Sequence, residues 1–212
     1  MNKKNTFPEA WSFREGRGDA MPRRGDVFLE GNYYHIYNRG LNGEAIFIVE
    51  ENYLYCLQLV KRNLTRFNVG LIAYCLMPNH YHFLLRQEST IPLTKFISST
   101  FISYVQALNK QIRRTGPLFE GRFKHKLVDK EEYIIHLCRY IHLNPVNAGL
   151  VQRPEDWPFS NYREWINHRA GAFKDDTFIR ERFNQSQEYE SFVNEFLHGG
   201  DTSSLSKDYI LE

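Results

Sequence analysis

Residues 68–86, NVGLIAYCLMPNHYHFLLR, constrain the fold more than any other stretch of the chain. Two apolar runs flank Met77-Pro78-Asn79, and a Pro-Asn break between such runs is a turn signal, so the segment predicts a β-hairpin. On its N-terminal side, NYYHIYNRG (32–40) reads as a strand that stops at Asn38-Arg39-Gly40. VEENYLYCLQLVKRNL (49–64) spaces Tyr53, Leu57 and Val60 as an amphipathic helix does. Beyond the hairpin, a second helix is expected from about Leu93 to Arg114, before Thr115-Gly116-Pro117. GRFKHKLVD (121–129) then reads as a strand. A third helix follows in DKEEYIIHLCRYIHLNPVNAGL (129–150), with Asp129 as N-cap, Glu131 and Glu132 in its first turn and Pro145 marking its end. Strand, helix, hairpin, helix, strand, helix is not the regular alternation of a doubly wound parallel sheet. It predicts an α+β fold, an antiparallel sheet with flanking helices.

The chain has 212 residues, which suits one domain with extensions. Residues 1–26 are polar with scattered Gly, Pro and Arg and read as an N-terminal arm. Residues 27–168 form the domain, and 169–212 read as an acidic helical extension carrying Phe178, Phe183, Tyr189, Phe192 and Phe196. Net charge is only +2, but its distribution is uneven. Lys110 to Lys130 holds seven Lys/Arg against two Asp/Glu, and Arg169 to Glu212 holds five against nine. The basic strip is either a footprint for phosphates or a solvated helix face. Cys56, Cys75 and Cys138 are isolated, with apolar neighbours, and read as reduced buried thiols of a cytoplasmic protein. No run approaches the roughly 20 apolar residues of a membrane span.

Two constellations carry chemistry. His80 and His82 alternate with Tyr81 on a strand and so share one sheet face. Two imidazoles there are either polar residues on a wet face or a pair converging on a divalent cation. Tyr140 and Asn144 are four apart on the third helix and share its face, with His136 one turn earlier. A phenol is a poor nucleophile when free, but beside a metal-bound phosphate it can attack phosphorus. Asn144 can add a carbonyl oxygen to the two imidazoles, a mixed open set that suits Mg or Mn.

The blocks YYHIYNRG, AYCLMPNHYHFLL, GPLFEGRFK, RYIHLNPVNAGLV and WPFSNY, in this order from about Gly31 to Trp165, resemble the REP-associated tyrosine transposases of bacteria, within the HUH-type single-tyrosine class. The resemblance implies a ferredoxin-like fold with the histidine strand at its centre and the third helix across it. It implies that His80, His82 and Asn144 hold the metal and that Tyr140 is the nucleophile. Tyr104 and Tyr133 are then structural or DNA-facing. The implied substrate is single-stranded hairpin DNA, cut and rejoined through a 5′-phosphotyrosine linkage by a monomer or homodimer. A hairpin-binding protein that does not cut, or a nuclease that uses water, would share the same residues. Arg39, Lys110, Arg113, Arg114, Arg122, Lys124 and Lys126 are candidates for DNA-backbone contacts. Tyr34, Tyr37 and Phe123 are candidates either for stacking on unpaired bases or for packing in the core.

Overall fold

A computed structural model describes residues 27–197 apart from 172 and 174; the expected arm, 1–26, and the end of the expected extension, 198–212, lie outside the described residues. Its elements run β1 (Tyr33–Arg39), α1 (Glu50–Phe67), β2 (Val69–Met77), β3 (His80–Gln87), α2 (Leu93–Gln111), β4 (Lys124–Val128) and α3 (Glu131–Asn147), followed by the short helices α4 (Tyr162–Trp165) and α5 (Asp176–Arg180) and by α6 (Ser186–Leu197). The strands form one antiparallel sheet in the order β2-β3-β1-β4. This is the split β-α-β topology of ferredoxin-like folds, with β3 in the interior of the sheet.

Both faces of the sheet are covered, which is why β2 and β3 read as nearly unbroken apolar runs. Tyr81, Phe83 and Leu85 of β3 pack with Phe96, Phe101 and Tyr104 under α1 and α2. On the other face Leu84 packs with Leu137, Cys138 and Ile141 of α3, and with Trp165, Phe178 and Tyr189 of the C-terminal segments. The aromatics at 178 and 189 are therefore core residues of this layer. The register of β2 slips between Leu71 and Ala73, so Ile72 and Ala73 both face α3. The Ile72 carbonyl accepts from Trp165 Nε1 (3.1 Å) and Asn161 Nδ2 (2.8 Å). The segment at 159–161 also covers the outer edge of β2, with Leu76 N donating to Phe159 O and Asn161 N to Tyr74 O.

The hairpin turn is clamped by the loop after β1. Pro78 O accepts from Ile46 N and Phe47 N, and Asn79 O from Gly40 N. That loop needs glycine at position 40, because a Cβ there would lie 2.0 Å from Glu44 O.

Three expectations at helix ends are corrected. The α3 N-cap position falls on Lys130 and no side chain caps it, so Asp129 does not act there. Pro145 lies inside α3 and does not end it. The helix stops in a Schellman motif instead, with Gly149 left-handed (φ 68), its N–H donating to Val146 O and Leu150 N donating to Pro145 O. A proline this close to the C-terminus forfeits one intrahelical bond, and the turn after it is closed by Gly149. Helix α2 ends at Gln111, short of Arg114, because Arg113 takes the left-handed conformation (φ 52).

Cys56, Cys75 and Cys138 are buried and free, as expected. Among the described residues no helix is long and apolar enough to cross a membrane.

Candidate active site

Alternation along β3 sends His80 and His82 to the α3 face, the opposite side from Tyr81. Their ring centroids are 5.0 Å apart and nearly perpendicular. Helix α3 crosses above them. Asn144 brings its Oδ1 to 3.1 Å from His80 Nε2, and the Tyr140 ring stands edge-on to His82 with centroids 5.7 Å apart. The four residues that the sequence singled out thus meet at one place. His136 does not join them. It turns to Arg139 Nη2 (3.0 Å) and lies against Phe192 of α6.

Burial governs the protonation of this group. It lowers the His80 pKa to about 4, against the opposing effect of Asn144, and holds His82 well below the ordinary imidazole value. Both rings are therefore neutral near pH 7, and a neutral ring has one N–H and one lone pair. Asn79 Oδ1 lies 2.7 Å from His80 Nδ1, while Asn79 Nδ2 donates to Gly43 O. This arrangement places the His80 proton on Nδ1 and a lone pair on Nε2, which then faces the Asn144 carbonyl oxygen. An imidazole nitrogen and an amide oxygen facing each other at 3.1 Å are compatible with a shared cation. His82 Nε2 makes the same point, being buried with no hydrogen-bond partner in the protein. Two imidazole nitrogens and an amide oxygen fit an open divalent-cation site. Among the described residues no three His, Cys, Asp or Glu side chains gather to make a closed cage.

Sequence reasoning missed His35. It is buried on β1 with its Nε2 3.0 Å from His82 Nδ1, and burial lowers its pKa to about 3. The available signal was the alternation of Tyr33, His35 and Tyr37 along a strand with an HxH strand elsewhere in the chain. Asn79 was overlooked as part of the turn.

A cleft opens beside the histidines, lined among others by Tyr37, Arg39, Glu120, Arg122 and Lys124. Arg39 pairs with Glu120 through its Nε and through Nη2 (2.9 Å) and holds that carboxyl below its usual range. Lys124 and Lys126 register against Tyr37 and His35, so they lie on the histidine face of the sheet. Lys110, Arg113 and Arg114 sit apart from this group at the end of α2, where Arg114 contacts Glu44. The basic strip is thus a helix end, a loop and a strand, and its members reach two different places. Tyr34 packs in the core, which favours the core reading for it, while Tyr37 is buried but forms part of the cleft wall; Phe123 is only partly buried. Tyr104 lies on the α1–α2 side, donating to Ile46 O, and burial pushes its phenol pKa far up.

The family model described as Transposase IS200 like matches residues 30–144, slightly more than half of the chain and the span that ends on Asn144. The chain belongs to this family. A Haemophilus influenzae protein named as a REP-associated tyrosine transposase is 24% identical over 115 residues, which is 50% of this chain and 64% of that relative. Among solved structures, a REP-associated tyrosine transposase bound to a REP hairpin superposes with a TM-score of 0.60 at 17% identity, over 73% of this chain and 94% of the other. At that identity the likeness speaks to the fold, and the fold agrees with the ferredoxin-like arrangement expected from the sequence.

Proposed function

We propose that the protein cuts and rejoins single-stranded hairpin DNA in the cytoplasm by phosphoryl transfer to Tyr140. The observation that carries the reading is the meeting of His80, His82, Asn144 and Tyr140 across the β3–α3 interface. Family membership and the named relatives support DNA as the substrate.

His80 Nε2, His82 Nε2 and Asn144 Oδ1 would hold a divalent cation, Mg or Mn. When bound, it supplies Lewis-acid polarisation of the phosphoryl oxygens. Arg122, Lys124 and Lys126 attract the strand to the histidine face through its phosphates. The Tyr140 hydroxyl gives up its proton as its oxygen attacks phosphorus, the P–O3′ bond breaks, and the departing 3′ oxygen takes up a proton, so that protons balance. The products are a 5′-phosphotyrosine linkage and a free 3′-hydroxyl. One phosphodiester replaces another of similar energy, so a second 3′-hydroxyl can reverse the step without ATP. Helix α3 carries both the attacking phenol and a metal-facing amide one turn apart, so docking that helix sets both positions together.

Incubating the protein with 5′- and 3′-labelled single-stranded DNA from the gene's flanks, followed by denaturing electrophoresis, tests the reading. We expect a covalent protein–DNA band carrying the label 3′ to the cut. Tyr140→Phe should abolish it and leave hairpin binding intact, while Tyr104→Phe should retain it. Cutting without an adduct would assign attack to water, and binding without cutting would leave only a hairpin-binding protein; either result overturns the proposal.

A further inference from the structure

The two histidines of the candidate metal site are each backed by a different polar partner. His80 Nδ1 lies 2.7 Å from Asn79 Oδ1, and His82 Nδ1 lies 3.0 Å from His35 Nε2. The two partners come from different parts of the chain and are themselves held. Asn79 sits in the hairpin turn, fixed by its Nδ2 bond to Gly43 O and by Gly40 N donating to its backbone oxygen. His35 is on β1, its ring 5.0 Å from Tyr37 and 5.2 Å from His82, and it is 1% exposed.

We propose that His35 and Asn79 are positioning residues for the metal: each accepts the Nδ1–H of one ligand histidine and so commits that ring's Nε2 lone pair to the cation. The inference rests on the metal-site reading given above and deepens it. A neutral imidazole left to itself interconverts between two tautomers, and only one of them points a lone pair at the site. An acceptor at Nδ1 selects that tautomer and stops the ring from rotating. It also raises the basicity of the coordinating nitrogen. Removing such outer partners typically weakens metal affinity about 10–100-fold. The two positions should differ in size of effect. His35 is sealed from solvent, so no water can take over its role. Asn79 is only partly buried, and a water can replace part of its contribution.

The test is Mn(II) titration of the full-length protein without DNA, read by loss of the free-ion electron paramagnetic resonance signal, with thermal unfolding of every variant alongside. Imidazole 15N spectra of the metal-free protein supply a second readout. Glutamine reaches as far as the histidine Nε2 and offers a carbonyl acceptor there. His35→Gln should therefore bind Mn(II) within about 3-fold of the wild type, while His35→Leu should lose about 10–100-fold. Asn79→Asp should bind at least as tightly as the wild type, and Asn79→Ala should lose about 10-fold. The 15N spectra should show His80 and His82 protonated at Nδ1 in the wild type, and His82 as a tautomer mixture in His35→Leu. Wild-type affinity in His35→Leu and Asn79→Ala, or Nε2–H tautomers in the wild type, would overturn the inference. If His35→Leu does not fold, the exposed-turn pair at Asn79 and the wild-type spectra still decide it. A wild type that binds Mn(II) no better than the double variant His80→Ala, His82→Ala would instead sink the metal site itself.

Discussion

Asn161→Leu tests how helix α3 is held over the histidines. Asn161 is fully buried, and its side chain makes four hydrogen bonds. Its Oδ1 accepts from Tyr74 N (2.8 Å) and His142 Nε2 (3.0 Å), and its Nδ2 donates to Ile72 O (2.8 Å) and Phe173 O (3.0 Å). His142 lies on α3, and its Nδ1 in turn accepts from the Tyr189 hydroxyl at 2.6 Å. Leucine keeps the branched outline and the number of heavy atoms but is bulkier, so the change removes polarity and adds some crowding, which can only increase the loss. It strands the Tyr74 N–H and the His142 Nε2–H in a dry interior, while Ile72 O keeps its bond from Trp165. Each buried donor left without a partner costs about 1–3 kcal/mol, so the two together cost about 2–6 kcal/mol. A tautomer switch in His142, donating to Tyr189 Oη instead, would relieve one of them and bring the loss to the lower half of that range. The assay is urea unfolding monitored by tryptophan fluorescence. We expect a lower midpoint at unchanged slope, and a weaker Tyr140–DNA adduct because α3 loses its anchor to β2. A loss below about 1 kcal/mol would refute the reasoning, since even one orphaned buried donor exceeds it.

Acid should unfold the protein early. His35 and His142 have folded pKa values of about 3 and about 4, lowered chiefly by burial, against 6.5 when unfolded. Between those values the unfolded chain binds more protons, so stability is full above about pH 6.5 and falls as pH drops toward 4, by about 2 kcal/mol per buried histidine at pH 5. Unfolding midpoints at four pH values check this, with His142→Gln expected to show a shallower dependence and a flat wild-type profile counting against it. The basic residues should divide by location. Lys124→Gln with Lys126→Gln should lower the salt slope of hairpin binding by about 1.4, at roughly 0.7 per phosphate contact, and Lys110→Gln with Arg113→Gln should leave it unchanged. Equal effects from both pairs would place DNA across the α2 end as well.

Local periodicity made much of this molecule legible. The HxH alternation gave the shared face of His80 and His82, and the four-residue step gave that of Tyr140 and Asn144. The hairpin dictated an antiparallel sheet. What stayed hidden depends on contacts between distant segments. His35 meets His82 only because β1 pairs with β3, and Asn161 meets Ile72, Tyr74, His142 and Phe173 only in the folded state. Whether Tyr34 stacks on a base or packs in the core stayed open because one strand cannot reveal that both of its faces are covered. Pro145 misled as a stop because the real stop, Gly149 in a left-handed turn, lay four residues further on.

The layer that backs α3 follows the residues that the family model matches. Residues 30–144 include β1 to β4 and nearly all of α3, yet Asn161, Trp165, Phe178 and Tyr189, which cover that helix from behind, all follow it. A protein trimmed to residues 30–144 would keep His80, His82, Tyr140 and Asn144 and expose Cys138, Ile141 and His142 to water. The candidate-site residues thus lie within residues 30–144, while much of what holds their helix in place is supplied by residues that follow. Exchanging the segments after α3 between relatives should therefore alter how firmly α3 is seated over His80 and His82 while leaving the candidate-site residues themselves unchanged.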